Sequence, residues 1–172
     1  MITGAHLHLL VNHAPIFGCL FATALLLASF FTAKDVLRRT AFVLLIGSAV
    51  AGQVAVMSGE PAEDAIRGYP GVVRRLGHDH EEMGEKARTI AIVVGVLALA
   101  ALVKWRRSPV PTAVAGVMFL LSAFASGAFV YTGLLGGRIR HTEVRPGVVK
   151  GDELKIEPPR QRPPGARPPE GG

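Results

Sequence analysis

The amino-acid sequence predicts an all-α fold: an integral membrane, antiparallel four-helix bundle with a disordered, Pro-rich C-terminal tail. Three observations lead there. Hydrophobic residues make up 49% of the 172-residue chain and charged ones only 19%, and the apolar residues come in blocks instead of at amphipathic spacing. Four blocks, at roughly 14–33, 40–57, 89–103 and 110–135, contain no Asp, Glu, Lys or Arg. Each such residue would cost about 2.5–3.5 kcal/mol at the centre of a membrane helix. Finally, the blocks are joined by a short, a long and a short connection, and short links make consecutive helices antiparallel neighbours. With their flanks the spans are expected near 7–33, 40–57, 86–105 and 110–135. They form a transmembrane domain over 1–145 with a loop at 58–85 that carries short helices, and the tail occupies 146–172.

The first helix opens on His6-Leu7-His8-Leu9-Leu10-Val11-Asn12-His13-Ala14-Pro15. Pro15 lacks an N–H and leaves the carbonyl of Val11 without its helical partner, so a kink or a late helix start is expected here. If this turn is already helical, His6 and His13 lie about 20° apart around the axis, whereas His8 lies about 140° from His13 and about 40° from Asn12. The stretch therefore offers a His6/His13 pair or a His8/Asn12 pair. The basic link around Lys34, Arg38 and Arg39 leads into the second helix, where Gly47, Ser48, Ala51 and Gly52 permit close helix approach. In the long loop, Pro61 suits the first turn of a short helix, which Gly68-Tyr69-Pro70-Gly71 ends. His78-Asp79-His80-Glu81-Glu82 then enters the third helix, with His78, Glu81, Glu82 and Glu85 on one face and His80 on another with Gly84 and Ala87. A second basic link, Lys104-Trp105-Arg106-Arg107, precedes a fourth helix with Gly116, Ala123, Gly127 and Gly133 as close-contact positions and a Gly133/Gly137 pair. It ends at Arg138-Ile139-Arg140-His141. The remainder is rich in Pro, Gly and charge, the composition of a disordered segment.

A net charge of +6 and a pI near 10.1 would suit nucleic acid in a soluble protein. Here the basic residues flank membrane segments or lie in the tail, so lipid headgroups are the expected partner and nucleic acid is not. Cys19 is the only cysteine, which excludes an intrachain disulfide and any CxxC motif. No basic residue precedes the first apolar run, which argues against a cleaved signal peptide.

This topology gathers all six histidines and twelve of the thirteen acidic residues at one end of the bundle, with Asp35 the exception. Such an end can build a metal or haem site between helices. A b-type haem would take His13 with His78 or His80, with Arg138 or Arg140 for its propionates. A transition-metal site would draw on His6, His8, His13, Glu60, Glu81 and His141, with Glu63 nearby. No catalytic set is visible, and no charged residue stands within a span to relay protons. The expected function is binding of haem or a transition metal for electron transfer or metal handling. The alternative is a non-catalytic accessory subunit docked in a larger membrane complex or homo-oligomer, its polar cap holding the helices together. Both termini fall on one side of the inner membrane. The thirteen basic residues on that side, against six in the short links, favour the cytoplasm, whereas the absence of a basic residue before the first helix and the three that closely follow it favour the outside, which is the expected placement.

The run from His8 to Ile16 resembles the opening of a family of four-helix bacterial inner-membrane proteins known only as a domain of unknown function. Their first helix begins with His-Pro, a few apolar residues, then His-Phe-Pro-Ile. The spacing from His8 to His13 and the following Pro15-Ile16 match, while Leu9 replaces the first proline and Ala14 the phenylalanine. Gly59 and a histidine before the third helix (His78 or His80) are also similar. The resemblance covers the four-helix region and implies that architecture and a histidine-bearing membrane site, with no reaction attached.

Overall fold

The structure, a computed structural model, describes residues 3–32, 34–69 and 71–147. Among these, every regular element is helical: α1 (Gly4–Val11), α2 (Ala14–Thr32), α3 (Asp35–Met57), α4 (Gly59–Ile66), α5 (Arg74–Lys104), α6 (Thr112–Arg140) and a closing 3-10 turn, Thr142–Val144. Four helices are long and apolar enough to cross a membrane; α1 runs on into α2 as one of them, and α3 into α4 as another. The tail expected from 146 falls, from 148 onward, outside the described residues.

The expected break in the first helix is present. Asn12 and His13 form a turn between α1 and α2, and Pro15 behind them is fully buried. Thr3 caps α1 by accepting from the His6 N–H, while the His6 ring bonds back to Thr3. The third helix begins at Arg74, ahead of the membrane span expected from 86, because the Asp/Glu-rich run continues the helical pattern once Gly68 (φ 86°) and Gly71 (φ 79°) have turned the chain. Much of the expected loop is thus α4 and the first three turns of α5.

α2 packs on α3 and α6, and α5 packs on the same two helices, so the four close a ring; α1 lies on α4 and the end of α3. Small residues make these contacts. A Cβ on Gly18 would overlap the Ser48 hydroxyl, and one on Gly95 would stand 2.9 Å from Ala49 Cβ. Ala22, Ala87, Ala91, Ala98, Ala115 and Ala125 fill the core around Leu26, Phe42, Leu45 and Phe129. Ser122 and Ser126 on α6 meet Thr23 of α2 at 2.9 and 3.2 Å. Many large side chains face outward all the same: Phe31 is 83% exposed and Leu120 68%. Ser48 and Gly52 are buried as expected, but Gly47, Gly116, Gly127 and Gly137 have no neighbour where a Cβ would stand. The close-contact face of α6 runs instead through Ala115, Ser122, Ala125, Ser126 and Phe129. A small residue allows close approach without requiring it.

At the end formed by the short links, Arg38 is buried and clamps α3 to the start of α6. It donates to Val110 O at 2.6 Å and to Thr112 Oγ1 at 3.0 Å. Asp35 accepts from the Val110 N–H at 2.7 Å and pairs with Arg39, which itself donates to the carbonyls of Trp105 and Ser108, both at 2.8 Å. Loop backbone that would otherwise lack partners is satisfied by three charged side chains of one helix turn.

Candidate functional site: a half-buried histidine pair

At the other end, α1, the end of α3, the start of α5 and the end of α6 bring two histidines together. The rings of His8 and His80 lie edge to face with centroids 6.3 Å apart and planes 87° from parallel. His8 Nδ1 is 2.9 Å from the carbonyl of Ala55 in the last turn of α3, and His80 Nδ1 is 2.9 Å from the carbonyl of Thr132 in α6. A carbonyl oxygen only accepts, so each Nδ1 carries a proton, and in the neutral imidazole Nε2 is the nitrogen with the lone pair. This is how a metal-ligating histidine is usually held, its second nitrogen donating to a fixed acceptor that sets tautomer and orientation.

Glycines make room for both rings. A Cβ on Gly136 would stand 2.9 Å from His80 Cε1 and 3.1 Å from its Nδ1, and one on Gly59 would stand 3.8 Å from His8 Cε1. Ser58 Oγ lies 3.4 Å from His8 Nδ1 and donates to Val54 and Ala55 carbonyls, closing the end of α3. His80 stands two turns before the uncharged stretch of α5, in a part of the helix whose Glu81, Glu82 and Glu85 are exposed. Burial pushes its imidazole below the ordinary value of 6.5, and His8 beside it acts in the same direction, against the Thr132 carbonyl and Glu81.

The other candidates are placed differently. His13 is exposed, its ring stacked on Phe17 with centroids 6.5 Å apart and its Nδ1 on the Asn12 side chain. His6 belongs to the α1 cap. His141 pairs with Glu143 at 2.9 Å on the surface. Arg140 lies over the Tyr69 ring at 5.8 Å. Arg138 offers its carbonyl to Arg145, which also donates to Gly71 and Ile139 and so ties the end of α6 to the loop. Glu60, His78 and Glu81 do come together, with Glu63, Arg67 and Arg74, around a polar pocket of about 280 Å³. Among the described residues no three His, Cys, Asp or Glu side chains are grouped so that they could hold a metal ion, so the set His6, His8, His13, Glu60, Glu81 and His141 is not gathered into one site.

The inward turn of His8 has a signal in the sequence. The buried face of α2 runs Pro15, Cys19, Ala22, Leu26, Ser29, mostly small residues, and stepping back seven positions from Pro15 reaches His8. His13 continues instead the exposed face of Phe17, Leu20 and Phe21. The same rule finds His80, in line with Gly77, Gly84, Ala87 and Ala91 on α5. No residue pattern announces the Ala55 and Thr132 carbonyls, since every residue has one.

Comparison with protein families, characterised proteins and solved structures finds no match to this chain.

Proposed function

We propose that the chain is a multi-pass inner-membrane protein, an antiparallel four-helix bundle, that binds haem or a transition-metal ion on His8 and His80 and serves electron transfer or metal handling. The membrane reading is supported by where side chains go. Small and hydroxyl residues make many of the contacts between helices while most of the Phe, Leu and Val side chains are exposed or half-buried, the sorting expected where the surrounding solvent is itself apolar. Both short links are basic, in line with the links facing the cytoplasm and the histidine end lying outside it. The resemblance of the His8-to-Ile16 run to a bacterial inner-membrane family points the same way.

The single observation that carries the ligand is the His8/His80 pair, each ring fixed through Nδ1 with Nε2 left as a donor. Each ring would offer a bound group one imidazole nitrogen, a ligand that suits iron, copper or zinc. Haem is favoured over a bare ion by counting donors. A structural or catalytic ion takes three or four protein ligands, whereas haem iron asks the protein for one or two. Held by His8 and His80, haem would supply one-electron chemistry, which suits electron transfer.

The test is an absorption spectrum and metal analysis of the detergent-purified protein, expressed with haem supplied. A Soret band is expected, lost in His8→Ala and in His80→Ala and kept in His13→Ala. Protein that is colourless and metal-free would overturn the proposal. The pair would then be a hydrogen-bonded clasp joining α1 to α3 and α5 to α6, as the accessory-subunit reading requires.

A further inference from the structure

The opposite end of the molecule carries a groove that the histidine site does not use. It lies between the last turns of α5 and the first turns of α6, holds about 400 Å³, and is walled by Leu97, Ala100, Trp105, Ala113, Val114 and Val117. Its lining is apolar except at the mouth, where Lys104 sits with its Nζ 4.7 Å from the centre of the Trp105 ring. Arg106 and Arg107 follow directly, and all three basic side chains are exposed. Among the described residues none of them makes a side-chain hydrogen bond or an ion pair.

The neighbouring charges are already engaged. Arg38 and Arg39 are spent on loop carbonyls and on Asp35, and Asp35 is the only acidic residue in either short link. Lys104 therefore stands unneutralised at the mouth of an apolar slot, with Arg106 and Arg107 next in the chain and the chain's single tryptophan beside it. Indole rings settle at the boundary of hydrocarbon and headgroup. The occupant that satisfies both halves is an amphiphile with an acyl chain and an anionic head. A zwitterionic head would bring its own cation against Lys104. Basic pockets between membrane helices on the cytoplasmic side recognise anionic headgroups in this way.

We propose that the α5–α6 groove is a binding site for an anionic phospholipid, one acyl chain lying against Leu97, Ala113 and Val117 and the phosphate resting on Lys104, Arg106 and Arg107. The proposal rests on the membrane reading above and is independent of what His8 and His80 bind. Trp105, as the sole indole, reports on it directly. The full chain is reconstituted in vesicles of phosphatidylcholine, into which acyl-brominated phosphatidylglycerol or acyl-brominated phosphatidylcholine is titrated, and tryptophan fluorescence is followed. Half-maximal quenching should need about fivefold less of the anionic lipid. In the Lys104→Gln, Arg106→Gln, Arg107→Gln triple variant this ratio should fall to about one. Using the ratio within each protein removes any change in the indole's own emission when Lys104 is replaced. Equal quenching by the two lipids in the unaltered chain would overturn the lipid site while leaving the membrane reading intact. Quenching by neither would place the indole outside any bilayer and overturn both.

Discussion

Replacing Gly136 with alanine tests how His80 is held, and Gly137 beside it supplies the control. Both glycines lie in α6, so each change to alanine should gain about 1 kcal/mol of helix propensity. Beyond that they differ. Nothing stands within 4 Å of a Cβ on Gly137, whereas one on Gly136 would sit 2.9 Å from His80 Cε1. Restoring an ordinary contact of 3.4 Å means moving the ring by the difference, 0.5 Å, and the adjacent Nδ1, at 3.1 Å, moves with it. Nδ1 then leaves the Thr132 carbonyl, now 2.9 Å away, for a distance at which the hydrogen bond is all but lost. That bond is worth about 1 kcal/mol, and overpacking adds about 1–3 kcal/mol. Taking about 2 kcal/mol for the two together, Gly137→Ala should be about 1 kcal/mol more stable than the parent and Gly136→Ala about 1 kcal/mol less. The gap corresponds to about 4–8 °C in Tm for a chain of this size. Thermal unfolding of the three proteins in one detergent measures it, and if haem binds as proposed, the Soret band of Gly136→Ala should shift or weaken. Identical melting of the two variants would show that the His80 ring does not rest on Gly136.

Three further outcomes are expected. Arg38→Met removes two charge-assisted bonds, to Val110 O and Thr112 Oγ1. Each is worth about 1.5–3 kcal/mol, offset in part because the buried Arg38 Nε has no partner, so a net loss of about 3 kcal/mol is expected; unchanged melting would refute the clamp. In protein carrying neither haem nor metal, His80 should make stability depend on pH. Burial holds its folded value below 6.5, so as pH falls the unfolded chain takes up the proton first; its contribution is complete above about pH 6.5 and is lost as pH drops through the folded value. Melting between about pH 8 and 5 should show a shallower slope for His80→Gln, and an equal slope would remove His80 as the cause. Cys19 is 1% exposed and should react with a maleimide only after unfolding; stoichiometric labelling of the folded protein would contradict its place between α2 and α3.

Helix number, helix type and the kink at Pro15 were all legible in the residues, because each depends on local properties: uncharged apolar length, a missing N–H, and basic links too short for anything but a reversal. The faces were partly legible. In uniformly apolar helices hydrophobicity does not mark an inner side, but residue size does, and the small stripes Cys19–Ala22–Ser29 and Gly84–Ala87–Ala91 point inward together with His8 and His80. Motif spacing and depth favour His13, yet it lies on the stripe of large residues and faces out with Phe17.

What only the tertiary structure decided is which histidines meet and what fixes them. His8 and His80 are 72 positions apart and approach because α1 folds over the end of α3 while α5 crosses α6 at Thr132. Their partners are main-chain carbonyls and the empty side of Gly136, features that carry no residue-type signature. The Arg38 clamp is likewise invisible in a basic link that reads as simple headgroup charge. The sequence alone determined that four apolar helices would form and that their polar residues would collect at the ends. Which of those residues face each other depends on helix rotation and on the turn at Asn12-His13, and both are set by packing between elements distant in the chain.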